Sequence, residues 1–339
     1  MQAIVWTQYG SPDVLKLREV PKPAPKSNEI LIKIHATTAT TGDCEMRNLR
    51  FPYWIRLPMR LYLGLRKPTR VTIPGTYLAG EVEAIGADVS RFSVGDQVFG
   101  TTLFGFGIYA EYVCVPEKGA IAPKPAAVSY EAAAPVGLGG LEALHFLTIA
   151  SIQPGEKVLI NGAGGSIGTY GIQLAKHFGA EVTAVDSGKK LEKLRQIGAD
   201  GVIDYTQQDF SQNGQHYDVI FDIIGKSPFS ASVRSLNPNG RYLIANPTGL
   251  IQVVRGKLVS RNSDRKVLFE MTSPKAKDLA FLAELMEAGK LHTVIDRCYP
   301  LAQIADAHRY VETGQKVGNV IITTSPHADA QDKADASLE

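Results

Sequence analysis

The run NGAGGSIG at residues 161–168 constrains this chain more than any other stretch. It stands between a short apolar run, KVLIN (157–161), and a helical pattern that carries Ile167, Gly171, Leu174, Ala175 and Phe178 on one face and stops at Gly179. A strand that turns on glycines into a helix gathers backbone N–H groups at a helix N-terminus, where negative charge is favoured. Gly162, Gly164, Gly165 and Gly168 supply the tight turn and close approach that a pyrophosphate needs; Ala163 and Ile167 complete the loop, and Ser166 adds a hydroxyl donor. Glycine clusters alone also occur in ordinary loops. Here EVTAVD (181–186) reads as the next strand, and Asp186 closes it 21 residues after Gly165, where a carboxylate accepts hydrogen bonds from an adenosine ribose. Strand, glycines, helix, strand and acid together predict a dinucleotide site. A carboxylate at 186 repels a 2′-phosphate and so leans toward NADH. Ser187, Lys189 and Lys190 follow at once and either receive such a phosphate or open a solvated helix.

The rhythm continues through KKLEKLRQIG (189–198), GVIDY, DVIFDIIG and RYLIAN, which is the pattern of a parallel, doubly wound sheet. RYLIAN (241–246) is expected at its edge. The first 120 or so residues are instead β-rich, with short apolar runs cut by Gly, Pro, Asn and Asp. After Pro274 come a helix, AKDLAFLAELMEAGK, and two further strands, TVIDRCYPL and VGNVIIT; the polar tail from Pro326 has no periodicity and reads as disordered. With 339 residues the chain can bury two sizeable cores. A net charge of +2 gives no pull toward nucleic acid, and no apolar run is long enough for a bilayer. Three scattered cysteines build no disulfide framework, and MQAIVWTQYG lacks the marks of a secretory signal, so a cytoplasmic location is expected.

Several phrases now stand in order: PGTYLAGEVEAIG (74–86), FSVGDQVFG (92–100), AEYVCVP (110–116), EAAAPVGLGGLEAL (131–144), PGEKVLINGAGGSIGTYGIQLAK (154–176), IGADGVIDY (197–205) and VGNVIIT (317–323). Over nearly its whole length the chain resembles the zinc-independent quinone oxidoreductase branch of the medium-chain dehydrogenase/reductase superfamily. It looks most like the chloroplast envelope quinone oxidoreductase homologues and their bacterial relatives. The resemblance implies an α/β protein with a GroES-like, β-rich catalytic domain (1–124), a Rossmann doubly wound parallel sheet binding NAD(P)H (125–270), and a C-terminal return to the catalytic domain (271–325). It implies that the family's glycine turn falls on Gly162, Gly165 and Gly168, and its ribose-side or phosphate-side residues on Asp186, Ser187 and Lys190. Its DY dipeptide falls on Asp204 and Tyr205, and its nicotinamide-flanking residues on Ile223, Ile224, Gly225, Ala245 and Asn246. Members commonly form homodimers by pairing Rossmann sheet edges.

The zinc positions are vacant. Thr40 stands where the first ligand cysteine would fall, Gly75-Thr76-Tyr77 replaces the Gly-His-Glu, and the stretch near 135–140 carries no ligand. Tetrahedral Zn²⁺ needs thiolate, imidazole or carboxylate donors, so no metal is expected; Cys44 and His35 read as structural residues. Without a Lewis acid an alcohol is hard to deprotonate for hydride loss, which points to acceptors that take hydride readily, quinones and α,β-unsaturated carbonyls. Of the family's NPxD segment only Asp43 survives, and it either serves the site or caps a helix turn, with Arg47 as its expected partner. Tyr53 and Tyr77 are the other candidate proton donors. Residues 47–70 hold seven basic side chains, no acid and three prolines. The prolines argue against a long helix, and the stretch either lines a hydrophobic acceptor site or rests weakly on an anionic membrane. Two other readings remain open: a zinc-free alcohol or aldehyde dehydrogenase, and a nucleotide-binding structural or membrane-adaptor protein with incidental turnover.

Overall fold

The computed structural model describes residues 1–324, without the side chains of Tyr53, Trp54 and Phe104; the tail expected to be disordered lies outside those residues. Ahead of residue 125 the strands are β1 (Gln2–Trp6), β2 (Leu15–Glu19), β3 (Glu29–Ala39), β4 (Tyr77–Ile85), β5 (Gln97–Thr101), β6 (Tyr112–Pro116) and β7 (Ala120–Pro123), with α1 (Thr41–Asn48) and α2 (Tyr53–Leu63) between β3 and β4. There follow α3 (Tyr130–Ala133), α4 (Gly139–Ile149), β8 (Lys157–Asn161), α5 (Ser166–His177), β9 (Glu181–Asp186), α6 (Leu191–Gln196) and β10 (Gly201–Asp204). Next are β11 (Tyr217–Asp222), α7 (Phe229–Arg234), β12 (Leu236–Ile244), α8 (Leu250–Asn262) and β13 (Lys266–Leu268), then α9 (Ala276–Glu287), β14 (Ile295–Pro300), α10 (Ile304–Glu312) and β15 (Asn319–Thr323).

Continuous apolar runs such as Val158–Ile160 and Val219–Phe221 are buried throughout, as strands covered by helices on both faces must be. They form an all-parallel sheet in the order β10-β9-β8-β11-β12-β13. The winding reverses between β8 and β11, so the carboxyl ends of those two strands open a crevice. The expected edge strand is corrected: β12 lies inside, and the three residues of β13 take the edge. A three-residue strand carries no readable alternation, which hid it in the sequence.

The second sheet runs β14-β15-β3-β4-β5-β7, with β6 also on β3. Its members come from both ends of the chain. Val320–Thr323 of β15 pair antiparallel with Ala36–Ala39 of β3, so the last described strand completes the sheet that β3 begins.

Two expectations fail in the stretch after β3. The eleven-residue helix α2 runs through Pro58. Proline gives up the bond of its own N–H and crowds the carbonyl one turn back, but the flanking turns hold, Arg56 N donating to Pro52 O and Gly64 N to Arg60 O. Arg47 does not pair with Asp43, because that carboxylate accepts from Thr40 N (2.9 Å) and Thr40 Oγ1 (2.6 Å) in a capping box. Arg47 is 2% exposed and reaches across to α10, to His308 Nδ1 (2.9 Å) and Glu312, while its Nε donates to Gly10 O (2.9 Å). Burial, aided by the Arg47 charge, lowers the His308 pKa to about 3, so the ring is neutral and its Nδ1 accepts from Arg47. Cys44 packs beside it, Sγ 3.4 Å from that nitrogen, and burial pushes the thiol up to about 12. His35 stacks on Tyr130 at 4.3 Å between centroids, so neither residue keeps metal-ligand company with the other.

Removing Arg47 takes the donor from His308 Nδ1 and Gly10 O, while the exposed Glu312 keeps Asn48 Nδ2. Arg47→Met should lower folding stability by about 1–3 kcal/mol in urea titration. The pH dependence has a definite sign. The folded pKa of His308 lies below the roughly 6.5 of an unfolded histidine, so its stabilising contribution is complete above that pH and drains as the pH falls toward 3. Melting temperatures between pH 7.5 and 4.5 should therefore fall less steeply in His308→Gln than in the wild type.

Candidate functional site

The crevice at the β8–β11 switch is floored by the glycine turn. Its backbone is tied to the neighbouring strand, Gly162 N and Ala163 N both donating to Val185 O at 3.0 and 3.1 Å. Gly162 holds φ at +84°, and a Cβ there would lie 2.8 Å from the Ile224 side chain. A Cβ on Gly168 would meet the Ala163 backbone at 2.5 Å, so α5 packs onto the turn only through glycine. Gly165 is the N-cap of α5, followed by Ser166 and Ile167 in its first turn. The surface of the turn is thus bare backbone at a helix N-terminus, which fits a dinucleotide's pyrophosphate.

Asp186 ends β9 beside this turn. Its Oδ2 accepts from Gly164 N and its Oδ1 from Ser187 N, each at 2.8 Å, and Lys190 Nζ stands 3.1 Å from Oδ1. The carboxylate is therefore a fixed and largely satisfied group. Tyr205 donates its N–H to Asp186 O at 3.2 Å and leaves its ring 60% exposed.

On the far side of the crevice, Asp222 organises the residues after β11. It is wholly buried and accepts from Asn161 Nδ2, Gly225 N and Tyr242 Oη, each at 2.9 Å. Gly225, at φ +70°, turns the chain against the Asn246 carbonyl with no room for a Cβ. Asn246 Nδ2 in turn donates to Ile223 O at 2.8 Å, and Ala245 packs on the main core next to it. Ile223, Ile224, Gly225, Ala245 and Asn246 are thereby brought together opposite the glycine turn. Asp222, Asn161 and Tyr242 were not singled out in the sequence; an acid closing the apolar run Val219–Phe221 was the available signal.

The C-terminal return also reaches the turn. Gly318 N donates to Gly164 O at 2.9 Å, and Ser166 Oγ donates to Asn319 Oδ1 at 2.6 Å. Asn319 is buried, its Nδ2 donating to Val294 O at 3.1 Å, so it is a seam residue.

The candidate proton donors meet less completely. Asp43 is buried in its capping box, and burial raises its carboxyl pKa against the opposing Thr40 bonds. Tyr77 opens β4; burial raises its phenol, with the Asp43 and Glu142 charges adding to the effect. The Tyr53 side chain lies outside the described residues. Around the vacant zinc positions the structure offers hydroxyls from Thr40, Thr76 and Tyr77, and among the described residues no three His, Cys, Asp or Glu converge as metal ligands. That donor set does not fit Zn²⁺. A cavity of about 690 Å³, lined among others by Val5, Ile73, Phe106 and Cys114, shares no residue with the glycine turn.

Comparison with known proteins agrees with this architecture. The family described as alcohol dehydrogenase GroES-like domain matches residues 26–126, and the one described as zinc-binding dehydrogenase matches 197–322. The chain is 30% identical to the chloroplast envelope quinone oxidoreductase homolog of Arabidopsis thaliana over 95% of this chain and 98% of that protein. It is 32% identical to the NADPH-dependent alkenal/one oxidoreductase, chloroplastic, of the same plant over 96% and 80%. The quinone oxidoreductase structure from Coxiella burnetii superposes with a TM-score of 0.84 at 30% identity, covering 96% of this chain and 99% of that one.

The close contact at Gly168 gives a direct check. Gly168→Ala should weaken nucleotide binding at least tenfold by calorimetric titration and lower the melting temperature, because the added methyl forces α5 off the turn.

Proposed function

The chain belongs to the quinone oxidoreductase branch of the medium-chain dehydrogenase/reductase superfamily, and from that premise we propose that it is an NAD(P)H-dependent, zinc-independent reductase of quinones or α,β-unsaturated carbonyls. The observations that carry the reading are a turn at the β8–β11 crevice that only glycine can make, and hydroxyls at Thr40, Thr76 and Tyr77 in place of the thiolate, imidazole or carboxylate donors that Zn²⁺ takes. The bound dinucleotide supplies the hydride. The protein's part is to hold the pyrophosphate on Gly162–Gly168, the adenosine ribose beside Asp186, Ser187, Lys190 and Tyr205, and the nicotinamide end against Ile223–Gly225, Ala245 and Asn246. Reducing a quinone or enone also develops an oxyanion that must gain a proton. Tyr77, kept neutral by burial, is the first choice as donor, with Asp43 behind it. The acid at 186 by itself favours NADH, but its oxygens are engaged and Lys190 stands against it, so the choice between NADH and NADPH turns on the surrounding cations.

The domain division 1–124, 125–270 and 271–325 is part of the same reading, supported by β14 and β15 joining the sheet of β3. A homodimer would pair the free edges of β13 in two copies. Among the described residues no single helix is long and apolar enough to cross a membrane. The face of α2 and the turn beyond it nevertheless leave Leu57, Leu61 and Leu65 about 60% exposed among Arg56, Arg60, Arg66 and Lys67. That combination supports weak contact with an anionic membrane as a second property of the chain.

Three measurements check these statements. Oxidation of NADH and NADPH should be rapid with 1,4-benzoquinone, 9,10-phenanthrenequinone or an enone, slow with an aldehyde, and unaffected by a chelator; tight nucleotide binding with no turnover of any acceptor would leave the adaptor reading standing. Tyr77→Phe should lower kcat about 10²–10⁴-fold with little change in nucleotide affinity if the phenol is the proton donor. Co-sedimentation with anionic vesicles at low salt should be lost in Leu57→Ser/Leu61→Ser.

A further inference from the structure

The cavity of about 690 Å³ has no part in the site as built so far, and its walls are chemically uniform. Among its described lining residues none is Asp, Glu, Lys, Arg or His, in a chain where 21% of residues are Asp, Glu, Lys or Arg. Lys22, between Pro21 and Pro23 of the wall, is engaged: it pairs with Glu83 and stands 3.7 Å over the centroid of the Tyr112 ring. An ion brought here would lose its water without gaining a counter-charge, so the site suits neutral molecules.

The polar groups it does offer are backbone. Every residue of β6, Tyr112 to Pro116, lines the cavity whichever way its side chain points, as happens along the edge of a strand. β6 pairs only with β3, and the phase of that ladder is set at both ends: Ile34 N donates to Glu111 O at 2.8 Å and Glu117 N to Asn28 O at 3.0 Å. Bonded and non-bonded pairs alternate along an antiparallel ladder, so Val113 and Val115 bond to β3, while the N–H and C=O groups of Tyr112 and Cys114 point the other way. No described strand completes the ladder on that side, and Pro21 and Pro23 of the wall have no N–H to offer. Two residues of the loop after β5 close the cavity. Leu103 and Phe106 both hold left-handed backbone, at φ +49° and +52°, a conformation that a non-glycine residue keeps only where its surroundings lock it. Phe106 is buried in the wall, and Leu103 is left exposed beside it.

A volume within the roughly 300–1,000 Å³ of small-molecule pockets, apolar walls and a few fixed polar groups together define a ligand site. We propose that this cavity is a second site, separate from the nucleotide crevice, for a neutral and largely apolar molecule whose carbonyl or amide oxygen accepts from the N–H of Tyr112 or Cys114. It stands apart from the cofactor reading, since no residue of the glycine turn or of 223–246 lines it.

Fluorescence titration of the full chain with Nile red, a neutral apolar dye that carries a carbonyl acceptor, tests this without any turnover. Wild-type protein should bind the dye saturably with blue-shifted emission. Saturating NAD⁺ or NADP⁺ should leave that affinity within about twofold, because dye and nucleotide occupy different places. Cys114→Trp and Val20→Trp, which fill the cavity from two walls, should each weaken the dye about tenfold or more. Leu57→Ser/Leu61→Ser should bind it as wild type does; a loss there would put the dye on α2 and overturn the proposal. In hydrogen exchange followed by NMR, the amide of Tyr112 or Cys114 should exchange about tenfold more slowly with dye bound. No binding by the wild type, displacement of the dye by nucleotide, or affinities within about twofold of wild type in both tryptophan variants overturn the site. Should Cys114→Trp not fold, Val20→Trp decides alone. Dye held in the cavity with neither amide slowed overturns the contact with the β6 edge.

Discussion

The pairing of β15 with β3 is the constraint on which the remaining arrangement rests. Val320–Thr323 lie against Ala36–Ala39, a contact between segments some 280 residues apart, and it closes the mixed sheet around a core shared by both ends of the chain. Because β15 is fixed there, the turn just before it is delivered to the glycine loop of the parallel sheet, where Gly318 meets Gly164. The same placement sets α10 against α1, and the Arg47–His308–Glu312 cluster fills the seam. A long-range backbone ladder thus positions a local chemical feature, which is how a fold with high entropic closure cost can still hold a precise crevice.

The two walls of that crevice are stiff for different reasons. The glycine wall is held by its backbone bonds to Val185 O and packs so closely that no side chain fits at Gly162 or Gly168. The opposite wall is stiff by hydrogen bonding, through a buried carboxylate that gathers an amide, a phenol and a backbone N–H around Asp222. A buried acid so fully satisfied costs little and orients much.

The parallel sheet and its glycine turn were legible because every rule agreed there: apolar runs, a helix with one apolar face, stop glycines and an acid at the right distance. The turn at Gly162–Gly168 and the residues Ile223–Asn246 stand where sequence reasoning put them relative to β8 and β11. Legibility failed where the determinants are non-local or amphiphilic. Helix α8 went unread because its apolar residues, Leu250, Ile251, Val253, Val254, Leu258 and Val259, are spread round the helix and Gly256 interrupts it. The prolines argued against a long helix over 47–70, and the eleven residues of α2 fit between Pro52 and Pro68 with Pro58 tolerated inside. Arg47 was paired with Asp43 by spacing alone, although a carboxylate at the third position of a helix is already claimed by its cap. Asn319 stands out only against the resemblance, and its bond with Ser166 exists only once the return strand is docked.

The bond between Gly318 and Gly164 has a consequence in time. Among the described strands β15 is the last to leave the ribosome, so during synthesis the parallel sheet can form with its glycine loop complete in sequence but open on one side. The nucleotide crevice gains its final wall only when the mixed sheet accepts that strand. Assembly of the binding site therefore reports completion of the fold, and a nascent chain stalled before β15 would carry a Rossmann sheet without the contacts that steady its loop.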